Sequence, residues 1–417
     1  MTQTSSGPPV TTLSFRHDTD SELLADPFKT WDRLREEHGT FLSDQAEAHG
    51  VWFLLRYDDI HAALQNPGTF SSEIITAGYG VAEGASEPVA FAGLKLIPEM
   101  LDPPEHTKYR QLLNPLLTPG KVKALEPMIR EHCVSLIDGF VADGHVEFSS
   151  VFARRFPTII FMRLMGLPVD EADQLLDWVD QLMHGPREGE ALDAATERAG
   201  KVAMDIFGYL NELIAKRRSQ PEDDFVSYLL TCEVDDRPLT DMELMQICFL
   251  LYMAGLDTVA GMLGYVFLHL ATNDADRQRI LDDPAVIPSA VEEFLRHYGI
   301  VTTVRVVTTD VEFAGCPMKK DDRVVLPTGS ANRDTREFPT ADDFDMERNP
   351  NRHIAFGAGP HRCVGSHLAR LELAIALEEW HKRIPHYRVE DPSAIRHHVA
   401  GVSGVDRLPL VFEQGEA

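Results

Sequence analysis

Apolar positions recur every three to four residues along most of the chain, the spacing of helices with one buried face. The pattern predicts helices over Pro27–Glu37, 104–117, 121–140, Ala172–Met183, 191–218 and 366–383. Strand-like runs are short, β-branched and bounded by Gly, Pro or Asp: 51–56, Thr302–Val307, Val311–Phe313, 323–326 and 408–412. No strand–helix alternation signals a parallel sheet, so the expected fold class is mainly α with small β-sheets. Residues 1–12, MTQTSSGPPVTT, read as a flexible tail. Residues 13–417 read as a single domain, with no internal linker or repeat.

One helix stands apart. Thr240-Asp-Met-Glu243 is a capping box, in which hydroxyl and carboxylate each satisfy an exposed backbone donor. The pattern then runs to about Ala271, roughly 45 Å at 1.5 Å per residue. Its middle is apolar nearly all round, which predicts a helix crossing the core.

Composition narrows the class. The chain has 417 residues, is 44% hydrophobic and carries a net charge of −27. So acidic a balance argues against nucleic-acid binding. The exception is 348–370, which holds four Arg, three His and no acidic residue. A basic island in an acidic chain points to an anionic ligand or an acidic partner. The five cysteines are not paired in spacing, which fits a reducing cytoplasm. No basic segment followed by an apolar run opens the chain, so neither signal peptide nor membrane anchor is expected. The most apolar stretch, 247–270, is interrupted by Asp257 and contains His269, against a membrane span.

The sharpest chemical signal is Phe356-Gly-Ala-Gly359-Pro-His361-Arg-Cys363-Val-Gly365, just before a strong helix pattern. Glycines close to the cysteine suit a tight loop in which backbone amides approach sulfur. The following helix sets its positive end near Cys363, and both effects favour thiolate. A lone cysteine in a glycine loop is more often structural. The whole ten-residue pattern is more specific: it resembles the haem-ligand loop of the cytochrome P-450 superfamily. The resemblance extends over nearly the whole chain and is nearest to bacterial soluble members such as camphor hydroxylase.

That resemblance implies a cytochrome P-450 fold with the long central helix over a haem b. It implies Cys363 as the iron ligand, with Phe356, Gly359 and Gly365 shaping its loop. A thiolate ligand donates electron density to iron and favours O–O cleavage. Glu293-Phe-Leu-Arg296 and Arg348 match the family's structural ion-pair network. Alone, such an i, i+3 pair is usually a solvated helix face.

Ala254-Gly-Leu-Asp257-Thr258 resembles the oxygen-activation motif. The Thr258 hydroxyl can bond back to the carbonyl at Ala254 and bend the helix, and Gly255 leaves room beside the backbone. Thr258 would then hold dioxygen while Asp257 relays protons. Haem carries two propionates, and His106, Arg110, Arg305 and His361 match the family's partners for them.

The pocket implied by resemblance is largely apolar: residues 74–96, Leu250, Met253, Val301, Thr302, Thr303 and Val402. Ordinary core is the bland alternative for each. Leu94 falls where camphor hydroxylase has a ketone-binding tyrosine, so camphor itself is not expected. Thr302 or Thr303 is the expected hydrogen-bond donor to a small, mostly apolar substrate. The implied partners are O2 and a ferredoxin-type donor with its reductase, docked over the basic island. Rival readings are a zinc site at His361, Cys363 and His367, which matches no common module, and a nucleotide loop at Gly357-Ala-Gly359, which lacks its third glycine and preceding strand. A non-enzymatic haem carrier needs no acid–alcohol pair, and a peroxide-driven peroxygenase typically replaces it.

Overall fold

The computed structural model describes residues 10–15, 20–44, 50–73, 95–183 and 190–414. The central helix is built as its sequence dictates. The Thr240 hydroxyl accepts from the Glu243 amide at 3.2 Å, and the Glu243 carboxylate accepts from the Thr240 amide at 2.7 Å. From that cap the chain runs as Asp241–Leu256 and Thr258–Thr272, interrupted at Asp257 (φ −113°, ψ −38°). The Thr258 hydroxyl donates back to the Ala254 carbonyl at 3.3 Å, the side-chain competition that bends helices. By length and composition this helix could cross a membrane, but 78% of its most apolar window is buried inside the protein. Its apolar surface is core.

The other predicted helices form close to their expected bounds, including Pro27–Glu37, Ala172–Met183, Leu192–Ser219 and Ser366–Arg383. The helix expected over 104–117 stops earlier, as Glu105–Leu113 followed by a tighter turn, Asn114–Leu116. Pro115 has no N–H to continue the α-helical ladder. The pattern does not announce Arg155–Met165, because Phe156 to Met162 is buried without a break and leaves no polar face to set a period.

The strands gather into one mixed sheet and smaller ladders. The six-stranded sheet runs Thr12–Leu13, Thr40–Ser43, Val51–Leu54, Arg323–Pro327, Thr302–Val307 and Phe70–Ser71. Two of its pairings are parallel, Thr12 with Leu42 and Arg323 with Val51. Local alternation cannot signal these, since one of them joins segments from opposite ends of the chain. Thr12, expected in the flexible tail, is thus part of a strand.

Two glycines seat the C-terminal hairpin, Arg396–His398 with Gly404–Arg407, against the central helix. A Cβ on Gly261 would lie 2.8 Å from the Ser403 carbonyl oxygen, and one on Gly264 would lie 2.9 Å from the Val405 Cβ. Gly200, in contrast, faces open space. Gly261→Ala is therefore expected to destabilise the protein by about 1–3 kcal/mol through overpacking. Gly200→Ala is expected to stabilise it by about 0.5–1 kcal/mol, the helix-propensity gain. Urea unfolding midpoints of the two variants should move in opposite directions.

Candidate active site

The central helix carries an anomaly at its midpoint. Its residues are buried on nearly every side, yet Ala254 is exposed, and Leu250 and Thr258 are half-buried. These three stand four positions apart, so they form one stripe on one helix face. Met253 and Asp257, four positions apart on one flank of this stripe, are only 5% and 6% exposed. Where the sequence resembles an oxygen-activation motif, the small side chain of Ala254 leaves room beside the exposed helix face. Gly255 was expected to supply it, but a Cβ there would lie 2.4 Å from the Phe161 ring, so this glycine serves helix packing.

The cysteine loop is closed by its own main chain. The Cys363 amide donates to the Phe356 carbonyl at 2.9 Å. Gly359 adopts φ +68°, and a Cβ there would stand 2.5 Å from the Leu64 carbonyl oxygen, so the turn requires glycine. Cys363 is exposed, yet enough protein surrounds it for burial to push the thiol's pKa up. The Gly365 amide, Arg110 and Arg370 pull the other way. A coordinated metal ion would complete that deprotonation.

Four residues from three separate segments converge on one spot. Burial pushes the His361 pKa down to about 3, and the positive charges of Arg305, His106 and Arg110 add to the effect. The His106 and His361 rings lie 4.2 Å apart. Both ring nitrogens of His106 and Nε2 of His361 are buried without a hydrogen-bond partner among the described residues. Unpaired buried donors beside two guanidinium groups fit a ligand bearing carboxylates. The two propionates of haem meet that requirement. Arg305, 4% exposed, also donates to Thr303 Oγ1 at 2.9 Å, and Arg110 donates to the Arg362 carbonyl inside the cysteine loop.

Beneath the loop lies a buried charge network. Glu293 and Arg296 have no exposed side-chain surface and pair at 2.7 and 2.8 Å. Arg348 closes on the same carboxylate at 3.1 and 3.2 Å. The amide of Asp345 and the side chain of Asn351 also donate to it. Arg296 reaches the carbonyls of Asn332, Ala341 and Asp343. Every polar atom of the pair has a partner, as burial of charge demands.

The predicted pocket residues assemble in part. Val301 bridges Val402, and the Thr302 amide donates to Gly401 at 2.9 Å. Thr302 and Thr303 point to opposite faces of their strand. Thr303 shares the face of Arg305, to which it is bonded. Leu94, with residues 74–93, lies outside the described residues.

The basic island is not one surface. Arg348 is engaged by Glu293, Arg370 and His353 by Glu292, and Arg352 by Glu337 at 3.6 Å. Arg362 alone of its arginines is without a carboxylate partner among the described residues. Sequence reasoning missed Glu292, whose neighbour Glu293 carries the motif. Glu243, read from the sequence only as a helix cap, also accepts from Tyr109 at 2.6 Å and Arg237 at 2.7 Å. Tyr109 sits beside Arg110, so Glu243 ties the helix of His106 and Arg110 to the central one.

The chain matches the family model for cytochrome P450 over residues 21–283 and 284–392. It belongs to the cytochrome P450 family. As such it is a haem-dependent monooxygenase with haem b as cofactor. It is 35% identical to a probable cytochrome P450 127A1 from Sinorhizobium fredii, over 99% of this chain and 92% of that protein. It is 32% identical to a mycinamicin IV hydroxylase/epoxidase from Micromonospora griseorubida, over 87% and 89%. The crystal structure of CYP101J2 superposes with a TM-score of 0.85 at 32% identity, covering 98% of each chain.

Two outcomes follow for this P450. His106→Ala and Arg110→Ala should each release haem faster, about tenfold if one charge-assisted hydrogen bond worth about 1.5 kcal/mol is lost. Transfer of haem to excess apomyoglobin measures this. The second concerns Glu292. Burial opposes its ionisation, but hydrogen bonds from Arg370 and His353 hold its carboxyl at about 2, below the ordinary 4.5. A depressed carboxyl contributes stability above its unfolded pKa and loses it as pH falls from about 4.5 towards 2. Glu292→Gln should flatten the pH dependence of the unfolding free energy in that window.

Proposed function

We propose that this cytochrome P450 inserts one oxygen atom of O2 into a C–H bond of a compact, mostly apolar substrate, such as a terpenoid, an alicyclic or an aromatic compound. Electrons come from NAD(P)H through an external ferredoxin and its reductase. The observation that carries the reading is the exposed stripe of Leu250, Ala254 and Thr258, next to the buried Asp257, midway along an otherwise buried helix. Haem, when bound, supplies the activation of dioxygen.

The chain's own residues supply the rest. Leu250, Ala254, Val301 and Val402 offer apolar surface, which binds by leaving water at about 25 cal/mol per Å². Thr303 is favoured over Thr302 as the polar contact. Its oxygen accepts from Arg305, which leaves its own hydroxyl proton to donate. Thr258 holds its hydroxyl over the cleft by bonding Ala254, and Asp257 is the group to carry protons to it. Arg362 beside Cys363 is the exposed cation that an acidic donor would meet. Five free cysteines support a reducing compartment, the cytoplasm.

Thr258→Ala should uncouple turnover, with NADH consumed and peroxide replacing product; Asp257→Asn should slow it. Normal coupling in the first and a normal rate in the second would remove the relay. The substrate class is tested by titrating the low-spin Soret band with small terpenoids and with mycinamicin IV. A shift to high spin with the terpenoids, weakened by Thr303→Val only for those bearing an oxygen acceptor, supports the reading. A shift with the macrolide alone sinks it. Arg362→Glu should reduce electron transfer from ferredoxin more than substrate affinity, and the effect should shrink as salt screens the charge.

A further inference from the structure

Arg370 lies in the helix that leaves the cysteine loop. Its guanidinium carbon stands 4.5 Å from the centre of the Phe356 ring, at the loop's other end. Glu292 grips its Nε at 2.5 Å and its Nη2 at 2.8 Å. The same carboxylate meets His353 Nε2 at 3.0 Å, and His353 Nδ1 accepts from the Ala355 amide at 3.2 Å. One acidic side chain therefore joins the segment that enters the loop to the helix that leaves it. Between them, Phe356 supplies the carbonyl that receives the Cys363 amide.

We propose that Glu292 and Arg370 form a clamp that holds the Phe356 ring in place, and through its carbonyl the main chain at Cys363. Both are positioning residues for the sulfur. The inference rests on Cys363 being the haem ligand. A planar guanidinium can be gripped at its edge by a carboxylate while its face lies on an aromatic ring, and an ammonium cannot do both. Glu292 fixes the plane of Arg370, so the ring beneath it has one orientation. An arginine held this way is not free to meet a redox partner, which separates Arg370 from Arg362.

The test uses the holoenzyme and the variants Arg370→Lys, Phe356→Leu and the double variant. Lysine keeps the charge but loses the two-point grip of Glu292 together with the stacking, and leucine keeps an apolar side chain but loses the ring, so each breaks the clamp at one member. The readout is the rate at which the thiolate-type Soret band of the reduced, carbon monoxide-bound protein converts to the thiol-type band in mild urea. Each single variant should convert about fivefold faster, equivalent to about 1 kcal/mol at 1.36 kcal/mol per decade. The double variant should match the singles, because the contact is lost once. The far-UV circular dichroism midpoint should stay where it is, which a merely structural role would not allow. Unchanged conversion in the singles overturns the clamp. So does a double variant at the product of the two, about 25-fold, or a dichroism midpoint that falls in step with the band. A wild-type protein with no thiolate-type band would instead remove Cys363 as ligand, and the clamp with it.

Discussion

Glu293 has no contact with water, and much of the site depends on how its charge is satisfied. A buried carboxylate is tolerated only if paired and fully hydrogen-bonded. Here the donors are Arg296 from its own helix, Arg348 and Asn351 from the irregular segment that leads into the cysteine loop, and the amide of Asp345. That segment has little regular structure to hold it. The carboxylate gives it fixed points, and its neighbour Glu292 gives the loop another through His353 and Arg370. Two adjacent acidic residues on one helix thus anchor the approach to Cys363 and the exit from it.

The central helix solves a different problem. A core-spanning helix normally has no polar break, and this one has Asp257 and Thr258 at its middle. The Thr258 back-bond and the non-ideal backbone at Asp257 let the helix change course without losing its core contacts on either side. Glycines follow where neighbours come closest. Gly255 admits the Phe161 ring, and Gly261 and Gly264 admit the hairpin that carries the chain past Val402. Helix packing and the shape of the cleft are therefore set by the same few positions.

Much of this was legible in the sequence, for identifiable reasons. The capping box at Thr240 and the Thr258 back-bond are local interactions, so the spacing of residues reveals them. The ten residues around Cys363 carry their turn with them, since Gly359 takes a positive φ that glycine adopts without cost. The basic island misled because sequence adjacency says nothing of what a charge faces: Arg348 and Arg370 meet carboxylates 55 and 78 positions away. Gly255 misled in the same way, since Phe161 comes from another helix. Thr302 and Thr303 were indistinguishable by type, and only the strand's alternation and the bond to Arg305 separate them.

The largest sheet has a consequence for how the molecule reaches its working state. Trp52 and Asp322, joined by a hydrogen bond, stand 270 positions apart, and Val51–Leu54 pairs directly with Arg323–Pro327. Ordering a loop of that length costs chain entropy before any contact rewards it. The helices can form from local contacts, and the strand bearing Arg305 pairs with the nearby Arg323–Pro327, but Val51–Leu54 joins that pair only when distant segments meet. The meeting of His106 and Arg110 with the cysteine loop waits on an encounter of similar length, since Arg110 reaches the Arg362 carbonyl 252 positions away. A ligand that binds His106, Arg110, Arg305 and His361 together therefore favours the closure of both long loops by mass action.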